Sequence, residues 1–134
     1  MNSNYQLADL ISFINVGSSQ HLTHLKFKNS SSNLNIKILA LLERQGIIRY
    51  FRVDPDGLDI YFRYKQSMPV FSSLKVVSTP GKRVFKSFNK LKLASNHFSF
   101  SGFYILSTSK GLMTSNEALL LKKASGEILV KVEI

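Results

Sequence analysis

The segment from Ile47 to Lys65 constrains the fold of this chain more than any other stretch. Two runs rich in β-branched and aromatic residues, Ile47–Val53 and Leu58–Lys65, flank Asp54-Pro55-Asp56-Gly57. Proline presets the turn dihedral, aspartate bonds its own backbone and glycine admits a positive φ, so the break is a turn and the runs are antiparallel strands. The return strand alternates, with Leu58, Ile60, Phe62 and Tyr64 on one face and Asp59, Tyr61, Arg63 and Lys65 on the other. A sheet with one apolar face needs a covering layer, and the upstream residues supply it. In residues 5–16, Leu7, Leu10, Ile11 and Ile14 recur at helical spacing, and Gly17-Ser18-Ser19 is predicted to end that helix. Leu22–Lys28 reads as a short strand. Ser30, Ser31 and Ser32 offer N-caps for a second helix, where Leu34, Ile38, Leu41 and Leu42 form a stripe and Gly46 stands at the C-terminal cap.

The first half therefore predicts helix, strand, helix, strand, strand. Gln66-Ser67-Met68-Pro69 is read as a link, and the second half is richer in strands. Val70–Val77 and Lys82–Phe85 flank the turn Thr79-Pro80-Gly81; Ser87–Ala94 is read as a short helix, residues 95–101 as irregular, and Phe103–Ser107 as an apolar strand. Thr114, three residues before Glu117, fits a capping box opening a helix through Lys123, and Glu127–Ile134 closes as a strand. The expected fold is α+β in two small lobes: residues 1–66 as α-β-α-β-β, and residues 67–134 as a β-rich lobe with one short helix.

Charge narrows the choice of partner. The 134 residues carry 18 Lys and Arg against 8 Asp and Glu, a net +10, with 44% hydrophobic residues and no cysteine. That much apolar material builds a core, unlike a disordered basic tail. No apolar run reaches the roughly 18 residues of a membrane span, and the missing thiols exclude disulfides, thiolate metal sites and cysteine nucleophiles. Between Asp59 and Glu117 there is no carboxylate, while nine cations fill the gap: Arg63, Lys65, Lys75, Lys82, Arg83, Lys86, Lys90, Lys92 and Lys110. A solvated face explains a short charge run, but so long an uncompensated stretch points to a polyanion, whose phosphates release counterions on binding.

The residues Ser107-Thr108-Ser109-Lys110-Gly111 suit such a partner. Hydroxyls donate to phosphate and ribose oxygens, lysine adds a point charge, and glycine lets the backbone approach closely. The block Ser107-Thr108-Ser109-Lys110-Gly111-Leu112-Met113-Thr114, followed by Glu117-Ala118, resembles the hallmark of the bacterial-type small-subunit ribosomal protein S-eight family. Neighbouring segments agree in order: Leu7-Ala8-Asp9-Leu10-Ile11, Gln45-Gly46-Ile47-Ile48, Val77-Ser78-Thr79-Pro80-Gly81-Lys82-Arg83-Val84-Phe85 and Ser125-Gly126-Glu127-Ile128-Leu129. The resemblance implies a non-catalytic constituent of the small subunit that binds the central domain of its ribosomal RNA and supports assembly, beside neighbouring ribosomal proteins. Carried over by position, its RNA-binding residues are Ser107, Thr108, Ser109, Lys110, Gly111, Gly126 and Glu127, with Pro80 and Gly81 shaping a turn and Lys82 and Arg83 near phosphates. Glu127 is expected to accept from a base or to orient Lys110. Phe85 stands where the family has tyrosine, which keeps a stacking ring.

Rival chemistries lack their parts. Ser107-Thr108-Ser109-Lys110 satisfies S-x-x-K, yet neither S-D-N nor K-T-G occurs. His21, His24 and His97 lack metal-ligand spacing, and no phosphate-binding P-loop exists. The expectation is no enzyme, no metal, no cofactor, no small-molecule substrate and no membrane partner. The alternative function is a translational regulator that binds a messenger mimicking the ribosomal site. Composition and departures from the bacterial pattern favour a mitochondrial ribosome in the matrix, with bacterial cytoplasm or plastid as alternatives, although residues 1–25 hold no Lys or Arg to form an ordinary transit peptide.

Overall fold

The structure, a computed structural model, describes residues 3–28, 32–78, 81–86, 101–121 and 126–134. The chain divides into two compact units, Met1–Ser72 and Ser73–Ile134. The first contains α1 (Ser3–Ser19), β1 (His24–Lys28), α2 (Asn33–Arg44), β2 (Ile48–Asp54), β3 (Gly57–Phe62), β4 (Tyr64–Lys65) and β5 (Met68–Pro69). Its antiparallel sheet runs β1-β3-β2, and the predicted hairpin is present with Asp54 opposite Gly57. Leu58, Ile60 and Phe62 turn inward with Leu7, Leu10 and Ile14 of α1 and Ile38, Leu39 and Leu42 of α2, all 4% exposed or less.

Both helices end in the same way. Ser32 caps α2 by accepting from the Asn35 amide at 3.2 Å. At its other end Gly46, at φ +77°, donates to the Glu43 carbonyl while Ile47 donates to Leu42, a Schellman closure. The first helix departs from expectation: it runs through Gly17 and Ser18 to Ser19. A Cβ on Gly17 would lie 2.4 Å from Cζ of Phe62, so this glycine makes room for a core ring and does not stop the helix. The closure falls at His21 instead, at φ 57°, where His21 donates to Ser18 and Leu22 to Gly17. The Gln66-Ser67 pair adopts positive φ at both positions and turns a two-stranded hairpin, Tyr64–Lys65 against Met68–Pro69. Asp59 also departs from its alternating pattern. It is 6% exposed, because the central strand places it beneath Arg52, whose Nη2 lies 2.8 Å from its carboxylate.

The second unit contains β6 (Ser73–Val76), β7 (Phe85–Lys86), β8 (Gly102–Thr108), β9 (Gly111–Thr114), α3 (Ser115–Leu121) and β10 (Gly126–Glu133). Its strands follow the order β6-β10-β8-β9, with β7 pairing β10 beyond β6. The strand expected from Val70 begins only at Ser73. The capping box is present, with Thr114 Oγ1 accepting from the Glu117 amide at 3.2 Å. β9, not among the expected strands, pairs with β8 along its whole length. The helix expected over Ser87–Ala94, residues 95–100 and the helix end at Lys122-Lys123 lie outside the described residues. The mixed α+β class, with helices on an N-terminal sheet and one described short helix on a C-terminal one, is as expected.

Candidate nucleic-acid interface

Strand register brings three distant segments to one end of the C-terminal sheet. In β10, Glu127 pairs on one side with Phe85 of β7 and on the other with Ser107 of β8, and Ser107 in turn faces Leu112 of β9. Residues directly opposite share a sheet face, so Phe85, Glu127, Ser107 and Leu112 form one cross-strand row. A bulge between Ile128 and Val130 sets this register. It leaves Ile128, Leu129 and Val130 all buried and gives that end of β10 a firm anchor. Behind the row, Leu106, Met113, Ala118 and Ile128 form a cluster, with Val77 and Tyr104 packed against it.

The hydroxyl segment is a hairpin tip. Thr108 pairs with Gly111, and Ser109 and Lys110 form the exposed two-residue turn between them. The Thr108 hydroxyl donates to the Gly111 carbonyl at 2.9 Å and accepts from the Lys110 amide at 3.2 Å, which locks the turn. Gly111 holds φ +106°, and a Cβ there would meet nothing within 4 Å, so its backbone is open to close approach. Gly126 is needed for a different reason. A Cβ on it would fall 2.5 Å from the Ser107 carbonyl oxygen, so only glycine lets β10 pass so near the hairpin base.

The third segment is pinned by Ser78, which was not among the expected site residues. Ser78, fully buried, accepts from the Val84 amide at 2.8 Å and lies 3.4 Å from the Val84 carbonyl, closing the connection between β6 and β7. Its place ahead of a Pro-Gly turn was the available signal. The closure carries Gly81, Lys82 and Arg83, all exposed, toward the same row; Thr79 and Pro80 lie outside the described residues. Glu127 was expected to accept from a base or to orient Lys110, but it turns to Arg83, whose Nη1 reaches its two oxygens at 3.1 and 3.4 Å. Arg83 is the nearer cation because β7 and β10 are paired neighbours, whereas Lys110 lies out on the hairpin turn. Phe85 completes the edge, 67% exposed beside the ion pair.

An exposed ring, a tethered guanidinium, serine hydroxyls and an open glycine are a set that grips phosphate and stacks a base. Residues 6–132 match the family profile of ribosomal protein S8. The chain belongs to the ribosomal protein S8 family. Small ribosomal subunit protein uS8m of Acanthamoeba castellanii is 35% identical over 127 residues, spanning 94% of this chain and 97% of that protein. Small ribosomal subunit protein uS8 of Hyphomonas neptunium is 34% identical over 136 residues, covering 98% and 99%. That of Pelagibacter ubique is 33% identical over 130 residues, covering 94% and 95%. In this member of the S8 family, the hairpin bearing Ser107 and Ser109 stands at a register-locked sheet end.

Proposed function

We propose that this chain is a structural constituent of the small ribosomal subunit that binds the central domain of the small-subunit ribosomal RNA, supports its assembly and performs no catalysis. The observation that carries the reading is the cross-strand row. Residues 81–85, 107–112 and 126–127, far apart in sequence, meet at one sheet end with their cations exposed. Within it Ser107 and Ser109 supply hydroxyls, Thr108 sets the turn, Lys110, Lys82 and Arg83 face phosphates, and Gly111 and Gly126 keep the backbone low. Gly81 lies in the adjoining turn, and Pro80 joins the proposed set on its sequence position. The shallow minor groove of an RNA helix, or its distorted internal loop, accepts such a low hairpin, whereas the deep major groove excludes it. Neighbouring small-subunit proteins complete the set of partners.

The relative from Acanthamoeba castellanii carries the mitochondrial form of the name, and it supports the mitochondrial ribosome of the matrix as the site of action. The tagged chain, expressed in its own cell and run through a sucrose gradient, will travel with small subunits and leave them on ribonuclease treatment. Residence at the top of the gradient, or with membranes after ribonuclease, would contradict the proposal.

A further inference from the structure

The N-terminal unit carries an aromatic row that its core does not use. On the face of the β1-β3-β2 sheet away from the helices, His24 stands opposite Tyr61 and Tyr61 opposite Tyr50. The His24 and Tyr61 rings lie 5.2 Å apart at 22°, and those of Tyr61 and Tyr50 4.2 Å apart at 9°. Rings stacked in this way stand upright on the sheet. Tyr61, on the central strand, has a neighbour against each face. Tyr50 lies on β2, an edge strand, with one face against Tyr61 and the other turned off the sheet edge, and the residue is 39% exposed.

The surrounding charge has a direction. Arg52, two residues along the same face, bonds Asp59 at 2.8 Å and Asp54 at 3.2 Å, yet its side chain is 61% exposed while theirs are 9% and 20%. The carboxylates lie beneath and the guanidinium lies on top. Arg49, the residue at the β-bulge just before Tyr50, is also exposed. An outward ring face is thus flanked by two arginines in the run Arg49-Tyr50-Phe51-Arg52. An arginine from a protein partner would stack on the ring but be repelled by both neighbours. An acidic peptide would pair with the arginines and leave the ring uncovered. A planar base on a phosphate chain satisfies both.

We infer that the outer face of Tyr50 stacks an unpaired RNA base while Arg49 and Arg52 hold the flanking phosphates. This contact is additional to the serine hairpin and rests on the proposed function only for the class of partner. The test uses the full chain and a fluorescein-labelled single-stranded oligouridylate, read by anisotropy at low salt. Tyr50→Ala weakens binding about tenfold, the scale of one lost base stack, whereas Tyr50→Phe stays within about twofold of wild type. An abasic oligomer of the same length binds wild type and Tyr50→Ala alike, which separates stacking from charge. Arg49→Ala with Arg52→Ala lowers the salt slope by roughly 1.4, two phosphate contacts on a single strand. Tyr50→Ala and Ser107→Ala with Ser109→Ala are each also measured on a transcript of the central ribosomal RNA domain, so failure of the hairpin site and failure of this one read differently. A 5-bromouridine oligomer, which needs no variant, crosslinks at Tyr50. Absence of oligomer binding by the wild-type chain, equal binding by Tyr50→Ala, or a crosslink mapping elsewhere overturns the inference.

Discussion

Glu127 shows how one carboxylate can serve a site proposed to bind an anion. Its side chain is 14% exposed and lies against Arg83, so the negative charge that RNA would meet is already covered. Removing Glu127 frees Arg83 to move, and removing Arg83 leaves an acid facing phosphate. The two losses are therefore coupled, by about 0.5–3 kcal/mol as for other contacting residues. A double-mutant cycle in RNA affinity checks this: Glu127→Ala weakens binding in the wild-type background and much less beside Arg83→Ala. Additive losses would mean that Glu127 touches RNA on its own. The sequence offered Glu127 a base or Lys110 as its partner, whereas the choice of Arg83 depends on β7 pairing with β10. That pairing joins residues more than forty positions apart, and no local pattern encodes it.

At the level of elements, what was legible is what local chemistry decides: the Asp-Pro-Asp-Gly turn, the Ser32 and Thr114 caps and the Gly46 closure. The misread positions are those where packing overrules a local signal. Gly17 reads as a stop, yet it serves the Phe62 ring. Gly17→Ala gains helix propensity but drives a methyl into that ring, a net loss of about 1–3 kcal/mol typical of overpacking. Chemical denaturation measures it, and Phe62→Leu in the same chain recovers part of the loss. Two phenols of the N-terminal unit make a separate prediction. A hydrogen bond with the Tyr50 side chain, then burial, holds the Tyr61 phenol above its ordinary value, and burial does the same for Tyr64. A raised folded-state value favours the protonated form, so this stability is complete below the usual tyrosine pKa of about 10 and is lost as the pH rises through the folded-state value. An ultraviolet titration should find these two phenols ionising late, and Tyr61→Phe or Tyr64→Phe should each remove one late step.

For the whole molecule, charge was readable from composition, while its use depends on the fold. Nine cations lie between Asp59 and Glu117, and strand pairing decides which of them sit beside the hydroxyl hairpin. Lys82 and Lys110 are exposed on two of the three converging segments. Changing either to alanine lowers the salt slope of RNA binding by roughly one without altering which RNA is preferred. The central claim is that the hairpin end of the C-terminal sheet grips folded ribosomal RNA. Filter binding of the full chain to a transcript of the central domain, wild type against Ser107→Ala with Ser109→Ala, tests it most directly. The account predicts a loss of more than about 1 kcal/mol, the scale of lost polar contacts, with the fold intact by circular dichroism; equal affinities of the two proteins for that transcript would contradict it.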